Sequence, residues 1–307
     1  MSPLVEVRDL SKAFPVGGGS KVHAVERVSL SIGPGETLAV VGESGCGKST
    51  LAHLIMRLIE PTSGTIHLDG TDITGLSNRA MREHRQKLQI IFQDPFASLD
   101  PRRTVGQAVS EPMKVHNSVP SGEIDDRVAA LFERVGLERS MMRQYPHQFS
   151  GGQRQRICIA RALALEPMLV VADESVSALD VSIQAQVINL MMELQSEMGL
   201  SYLFISHDLA VVERVSHRVA VMYLGQIVEI GSRSAIFENA QHSYTKRLLS
   251  AVPIADPRLR RDRPLITGEI PSPVWSPGTA PEPVELVEVA PGHFAAQEDV
   301  PVELDLT

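Results

Sequence analysis

A glycine-rich loop between a predicted strand and a predicted helix is the feature that most constrains the fold of this chain. Residues 37–41 are a short apolar run rich in β-forming side chains, and residues 49–59 have a helical pattern. The loop and the start of the helix comprise Gly42, Glu43, Ser44, Gly45, Cys46, Gly47, Lys48, Ser49 and Thr50. This spacing matches the phosphate-binding loop, in which backbone N–H groups and a helix N-terminus surround phosphate oxygens. The order of strand, loop and helix therefore predicts a nucleotide site.

Two side chains of the loop have the chemistry that a nucleoside triphosphate requires. The Lys48 ammonium can bridge the β- and γ-phosphates, and the Ser49 hydroxyl can bind Mg²⁺. The alternative is a glycine-rich turn that binds no ligand. The position of the motif, directly between a strand and a helix, favours the phosphate site.

A pair of carboxylates closes a second apolar strand. Asp173 and Glu174 follow the buried run at residues 169–172. Asp173 can support Mg²⁺, directly or through water, and Glu174 can polarise the water that attacks the γ-phosphorus. The alternative is an acidic pair that caps the next helix. A phosphate loop elsewhere in the same chain favours the catalytic interpretation.

A second glycine-bearing helix start lies at Ser150, Gly151, Gly152 and Gln153. Its unpaired backbone N–H groups and the Ser150 hydroxyl suit an anion, but the segment has no lysine and no metal ligand. It is therefore half of a phosphate site, which makes sense if it completes a site that begins elsewhere. An ordinary serine N-cap is the alternative.

Alternating strands and helices organise most of the chain. Residues 4–10 alternate apolar and polar side chains, which predicts a half-buried edge strand, and residues 105–143 are mainly helical. Residues 218–223 are predicted to pair with residues 226–230 across a Leu224-Gly225 turn. The alternation implies a largely parallel sheet covered on both faces. Beyond Pro253, frequent prolines predict an extended appendage.

Composition excludes several classes of function. The chain has 29 basic and 37 acidic side chains and a net charge of −8, so its overall charge offers no attraction to nucleic acid. Its two cysteines suit a reducing compartment better than a disulfide framework. No apolar run approaches the roughly 20 residues of a spanning helix, and no secretory signal is expected at the start of the sequence. The cytosol is the expected compartment.

These motifs, taken in order, resemble the ATP-binding subunits of ABC transporters, specifically the oligopeptide and dipeptide importer group. The resemblance extends to the glutamine loop at Gln93, the switch histidine at His207, and residues 242–249 and 268–273 of the tail. It also includes the loop formed by Ser177, Ala178, Leu179 and Asp180. Six ordered motifs cover nearly the whole chain.

The resemblance implies an α/β fold of the ABC type. Its parts would be a P-loop ATPase core with a RecA-like mixed sheet, an N-terminal antiparallel β subdomain, a helical subdomain and a Pro-rich C-terminal extension. The implied boundaries are an ATPase domain at residues 1–235, with the helical subdomain at about 96–160, and a largely irregular extension at 236–307.

The resemblance also assigns roles to residues. Glu174, His207 and Gln93 would be catalytic, residues 42–50 would bind ATP, and Ser49, Gln93 and Asp173 would hold Mg²⁺. Residues 150–153 would act in trans, on the γ-phosphate bound by a second ATPase subunit. Phe14 would stack on adenine, with a core aromatic as the alternative.

The implied function is ATP hydrolysis coupled to the uptake of oligopeptides or dipeptides, with glutathione or nickel as other cargoes. The implied partners are a second ATPase subunit (a heterodimer, or else a homodimer), two transmembrane permease subunits and, indirectly, an extracytoplasmic solute-binding protein, at the cytoplasmic face of the membrane. No iron–sulfur cluster is expected, because no cysteine follows Cys158. A soluble ABC ATPase acting on nucleic acid is less consistent with the acidic charge. An unrelated phosphate-loop kinase leaves His207 and residues 150–153 unexplained.

Overall fold

The computed structural model describes residues 2–251, 274–276 and 279–297. The chain forms two compact units. The first unit comprises the start of the chain through Val5, Ser31–Thr37 and His67–Ser206, and the second comprises Glu6–Leu30, Leu38–Ile66 and the described residues from His207 onward. The tail motif at residues 268–273 lies outside the described residues.

The secondary structure alternates strands and helices through most of the described chain. The strands are β1 (Val5–Pro15), β2 (Lys21–Ile32), β3 (Thr37–Val41), β4 (Ser63–Leu68), β5 (Thr71–Asp72), β6 (Leu88–Ile91), β7 (Leu169–Asp173), β8 (Ser201–Ile205), β9 (Arg218–Tyr223), β10 (Gln226–Ser232), β11 (Val274–Trp275), β12 (Leu286–Ala290) and β13 (His293–Ala296). The helices are α1 (Lys48–Ile55), α2 (Met81–Lys87), α3 (Val105–His116), α4 (Ile124–Arg134), α5 (Gly151–Leu163), α6 (Val181–Met198), α7 (Leu209–Val215), α8 (Arg233–Asn239) and α9 (Ser243–Ser250). Short 3-10 turns lie at Gly17–Gly19, Arg139–Arg143 and Pro146–Gln148.

In the first unit, β6, β7 and β8 form a parallel sheet. Leu88 pairs with Leu169, and Leu169 pairs in turn with Ser201. Every residue of β7 and β8 is buried, which explains why both strands are apolar throughout rather than alternating. At the other end of the pairing, Asp173 lies opposite Ile205. The carboxyl end of β7 is therefore where this unit places its acidic pair.

Helices α3, α4 and α5 give the first unit its helical part. Helix α4 buries one apolar face, because Val128, Leu131 and Phe132, together with Val135 directly after the helix, are each no more than 2% exposed. Helix α3 begins with a reciprocal capping box in which Thr104 and Gln107 exchange hydrogen bonds. None of the helices among the described residues is long and apolar enough to cross a membrane.

In the second unit, a mixed sheet carries the predicted hairpin. Strands β3 and β9 are parallel, and β9 pairs antiparallel with β10 across the Leu224-Gly225 turn. Strand β13 pairs antiparallel with β10, and β12 pairs antiparallel with β13. The extension, expected to be largely irregular, thus contributes helix α9 and a β12–β13 hairpin.

The prediction that β1 is an edge strand is wrong. Strand β1 lies between β2 and β4, and β11 pairs antiparallel with the outer side of β2 through Trp275 and Lys21. The alternation of apolar and polar residues reports which face of a strand is buried, and it carries no information on how many neighbours the strand has.

Candidate functional site

Glycines at the phosphate loop allow backbone conformations and approaches that other residues could not adopt. Gly42, Gly45 and Gly47 have φ angles of +151°, +82° and +108°. A Cβ on Gly42 would lie 2.2 Å from the carbonyl oxygen of Met222, and one on Gly47 would lie 2.0 Å from that of Ala24. The loop is therefore held against the ends of β9 and β2 at distances that exclude any side chain.

Lys48, the first residue of α1, directs its ammonium group back over the loop. The side chain is 5% exposed, and Nζ donates to the carbonyl oxygens of Gly42 and Glu43, both at 2.8 Å. These acceptors are neutral, so the charge is held in place without an opposing carboxylate among its hydrogen-bond partners. Gly47 provides no side-chain cap, so the start of α1 has the anion-binding character of a helix N-terminus.

Cys46 lies inside the loop but lacks the properties of a nucleophile. Its Sγ is 3.8 Å from Lys48 Nζ, and the thiol is 7% exposed. Burial raises the pKa of the Cys46 thiol, and the nearby ammonium only partly offsets this effect. The thiol is therefore protonated at neutral pH. Cys46 contributes to the loop through its backbone.

Glu174 and Gln93 are brought together in the first unit. Gln93 Nε2 donates to Glu174 Oε2 at 2.9 Å, although the two residues are 81 positions apart. The Glu174 backbone has a left-handed φ of +46°, and its N–H donates to Ile205 O at 3.0 Å. Ser177 holds the Glu174 carbonyl with its backbone N–H and its hydroxyl, at 3.1 and 2.8 Å. A strained backbone held by several bonds is typical of a functional residue.

Asp173 lies beside this pair at the end of β7, where it is 7% exposed. A buried carboxylate and an amide oxygen, such as that of Gln93, are the hard oxygen donors that Mg²⁺ prefers. Ser49, in the second unit, offers a hydroxyl of the same kind. Each of these three side chains carries an oxygen donor of the kind that Mg²⁺ prefers. Among the described residues, no group of three or more His, Cys, Asp or Glu side chains is arranged to hold a metal ion.

The start of α5 forms the predicted capping structure. Ser150 Oγ accepts the Gln153 N–H at 3.3 Å, and Gln153 Oε1 accepts the Ser150 N–H at 3.0 Å. Gly152 is required by internal packing, since a Cβ there would lie 2.4 Å from Ile183 Cγ2. A Cβ on Gly151 would meet Leu179 at an ordinary 3.5 Å. Packing among the described residues therefore does not account for the glycine at position 151.

The remaining predicted residues are at or near the surface. Ser177, Ala178 and Asp180 are exposed and Leu179 is half-buried, and Asp180 is the N-cap residue of α6 without a side-chain capping bond. His207, between β8 and α7, is exposed.

Phe14, near the end of β1, is 38% exposed, with Lys12 Nζ 5.1 Å from its ring centroid. This exposure argues against the alternative that Phe14 is a core aromatic.

Sequence reasoning missed one residue at the phosphate loop. The Tyr244 hydroxyl, from α9, accepts the N–H of Glu43 at 2.9 Å. Position 244 belonged to a tail segment singled out only by family resemblance, and no spacing rule connects it to a loop 201 residues earlier. Only the folded chain reveals the contact.

The fold and the two residue clusters define a class of protein, the P-loop nucleotide-binding cassettes. Comparisons with known sequences then give the family. The profile of the ABC transporter family matches residues 25–177. The profile described as the oligopeptide/dipeptide transporter C-terminal region matches residues 228–278. The chain belongs to the ABC transporter family of ATP-binding proteins.

Curated relatives match nearly all of this chain. It is 56% identical over 305 residues to the glutathione import ATP-binding protein GsiA of Pectobacterium atrosepticum, with 97% of this chain and 49% of the relative covered. It is 54% identical over 302 residues to GsiA of Escherichia coli strain K12, with 96% and 48% covered. The chain thus spans about half the length of the curated relatives it matches.

Solved structures show the same cassette fold. The dimeric post-hydrolysis state of the ATP-binding cassette MJ0796, bound to ADP and phosphate, matches with a TM-score of 0.68 at 28% identity, covering 75% of this chain and 98% of that one. CbiO1 of Clostridium perfringens, part of an ABC transporter complex, matches with a TM-score of 0.69 at 30% identity, covering 78% and 92%. The predicted fold class is confirmed.

Proposed function

We propose that this chain is the ATP-hydrolysing subunit of an ABC importer for oligopeptides or dipeptides. The observation that carries the proposal is the phosphate loop, whose glycines and buried Lys48 form an anion site at the start of α1. The match of residues 228–278 to the peptide-transporter C-terminal region supports the cargo class. We propose residues 1–235 as the ATPase domain, with a helical subdomain at about 96–160, and residues 236–307 as the extension.

In this proposal the loop binds the phosphates of ATP. The Lys48 ammonium keeps its hydrogen bond to the Gly42 carbonyl, gives up the one to the Glu43 carbonyl, and donates its two other N–H groups to β- and γ-phosphate oxygens. The backbone N–H groups at residues 44–50 donate to the same anions. Phe14 supplies an aromatic face for adenine. Ser49, Gln93 and Asp173 hold Mg²⁺, which neutralises charge on the phosphates when it is bound.

Glu174 then orients the attacking water and accepts its proton. The Gln93 amide fixes one oxygen of the Glu174 carboxylate, at 2.9 Å, and the hydrogen bonds to the Glu174 backbone keep the side chain at the end of β7. His207 contacts the γ-phosphate and keeps Glu174 oriented. Hydrolysis breaks the bond between the γ-phosphorus and the bridging oxygen, which leaves as ADP, while the water oxygen remains on phosphate.

The binding site for the γ-phosphate is completed by residues 150–153 of a second ATPase subunit. Gly151 supports this role, because packing in the part of the chain that the structure describes does not require a glycine there. The matched MJ0796 cassette is described as dimeric, with ADP and phosphate bound. Loss of the bonds to the γ-phosphate after hydrolysis, each about 1.5 to 3 kcal/mol, would release the pair. The loop at residues 177–180 lies at the same interface in this proposal.

Removing the Ser150 hydroxyl tests whether residues 150–153 act on the nucleotide of a second subunit. Thr104 heads an equivalent capping box on α3, so Ser150→Ala and Thr104→Ala each remove one helix cap worth about 0.5 to 2 kcal/mol. We expect similar losses of stability by chemical denaturation. Only Ser150→Ala should reduce ATP-dependent pairing, measured by light scattering after gel filtration, and reduce ATP turnover by about tenfold or more. Equal pairing and turnover in the two variants, or full turnover by a strict monomer, would contradict action in trans.

The identity of the cargo and of the partner subunits is tested in the assembled transporter. We propose that the chain works at the cytoplasmic face of the membrane with a second ATPase subunit, two permease subunits and a solute-binding protein. The relatives named for glutathione import support glutathione, a tripeptide, as a second candidate cargo.

The test of cargo is ATP turnover in reconstituted vesicles with the binding protein loaded with a dipeptide, an oligopeptide, glutathione or Ni²⁺. We expect a peptide to stimulate turnover most. Stimulation by Ni²⁺ alone, or co-purification with ribosomes or DNA instead of permease subunits, would overturn the assignment to peptides.

A further inference from the structure

Tyr244 makes a direct contact between helix α9 and the phosphate loop. Its hydroxyl oxygen lies 2.9 Å from the Glu43 nitrogen, and the side chain is 4% exposed. The ring packs against Tyr223 with the centroids 4.3 Å apart. Burial raises the pKa of the Tyr244 phenol, so the hydroxyl is neutral and accepts the Glu43 N–H as an ordinary hydrogen-bond partner.

This hydrogen bond fixes the same peptide group that holds Lys48. The Glu43 N–H and the Gly42 carbonyl belong to one planar trans peptide, and they point in opposite directions. The N–H donates to Tyr244, and the carbonyl accepts from Lys48 Nζ at 2.8 Å. Rotation of this peptide plane would therefore move the carbonyl away from the ammonium. Tyr244 controls the orientation of an acceptor that positions the phosphate-binding lysine.

A buried carboxylate fixes the position of α9 in turn. Glu229, on β10, is 0% exposed and accepts the backbone N–H groups of Gln241 and His242 at 2.7 and 3.1 Å. His242 Nδ1 then accepts the Tyr244 N–H at 3.1 Å, which caps the first turn of α9. The segment that leads into the helix is therefore tied to the sheet at two backbone positions, and His242 connects it to the first turn.

The C-terminal hairpin completes this connection. His293, the first residue of β13, is 1% exposed, and its Nε2 lies 2.7 Å from Glu229 Oε1. Gly231 makes room for the imidazole, because a Cβ there would lie 2.9 Å from His293 Cδ2. A continuous set of hydrogen bonds therefore runs from His293 through Glu229 and α9 to Tyr244 and the phosphate loop.

We propose that Tyr244 is a positioning residue that sets the affinity of the phosphate loop for a nucleoside triphosphate, so that the C-terminal extension is part of the nucleotide site. This inference rests on the proposed function, since it assumes that the loop binds ATP. The role is indirect: Tyr244 acts on the Gly42–Glu43 peptide and through it on Lys48. The extension thereby gains a function separate from any contact with cargo.

The test compares two tyrosines that each lose a buried hydroxyl. Tyr202, on β8, is 3% exposed and donates its O–H to Met191 O at 3.3 Å, in the other compact unit. Tyr244→Phe and Tyr202→Phe are therefore matched for burial and for the loss of one hydrogen bond. Titration calorimetry of the full chain is expected to show ATP binding weakened by about tenfold in Tyr244→Phe and by less than about twofold in Tyr202→Phe. In the assembled transporter, KM for ATP should rise in Tyr244→Phe with kcat nearly unchanged.

Hydrogen exchange gives a readout that does not depend on activity. The Glu43 amide should exchange at least about tenfold faster in Tyr244→Phe than in the wild-type chain, because its acceptor is gone, and it should be unchanged in Tyr202→Phe. Wild-type ATP binding with no difference between the two variants would overturn this inference alone. Absence of ATP binding by the wild-type chain would overturn the proposed function together with the inference.

Discussion

Glu174→Gln is expected to lower ATP turnover by about 10²- to 10⁴-fold while leaving ATP bound. The glutamine side chain keeps the shape of Glu174, and its amide oxygen can still accept the hydrogen bond from Gln93 Nε2. What is lost is the group that takes a proton from the attacking water. Because binding depends on the phosphate loop and not on this carboxylate, the variant should accumulate as an ATP-bound pair of subunits.

The measurement combines phosphate release in the assembled transporter with the mass of the isolated chain in the presence of ATP. Glu197→Gln, the same change at an exposed position on α6, is the control and should retain turnover. Normal turnover by Glu174→Gln would remove Glu174 from its catalytic role. Slow turnover without stable pairing would contradict the proposal that ATP holds two subunits together.

The sequence predicts those parts of the fold that depend on local patterns. The phosphate loop is a contiguous run whose glycines satisfy local φ requirements, and the structure has positive φ at Gly42, Gly45 and Gly47. The helix start at Ser150 is local in the same way, because a capping box needs only residues three apart. Such features depend little on the rest of the chain.

Features that depend on distant partners were not predictable in the same way. The alternating pattern of β1 predicted a buried face correctly, but the strand's two neighbours are set by the order of strands in the sheet. In the extension, frequent prolines masked the β12–β13 hairpin. Its stability depends on pairing with β10 and on the buried contact of His293 with Glu229.

The candidate site shows the same division. Glu174 was identified from its place at the end of an apolar strand and Gln93 from the resemblance, but their hydrogen bond joins residues 81 positions apart and is visible only in the folded chain. No chemical motif in the sequence indicated a role for Tyr244, since a tyrosine on an amphipathic helix is most simply a packing residue. Its role depends on which backbone N–H the hydroxyl meets.

Lys48→Met is expected to weaken ATP binding by at least about 100-fold. The ammonium would make two charge-assisted hydrogen bonds to phosphate oxygens, each worth about 1.5 to 3 kcal/mol, and methionine makes neither. The stability of the folded chain should change far less than its affinity for ATP. The variant loses two hydrogen bonds to the loop carbonyls, but it also removes a charge that is 5% exposed, and these effects oppose each other. We expect the free energy of unfolding to change by less than about 2 kcal/mol.

Thermal or chemical unfolding with and without ATP separates these two effects. At an ATP concentration 100 times the wild-type Kd, ligand binding stabilises the wild-type chain by about 2.7 kcal/mol. A Kd raised 100-fold reduces that gain to about 0.4 kcal/mol at the same concentration. Lys87→Met makes the same substitution at a half-exposed lysine paired with Asp69, and it should keep the full gain. An equal gain in Lys48→Met would show that the ammonium, although directed over the loop, does not contact the phosphates of ATP.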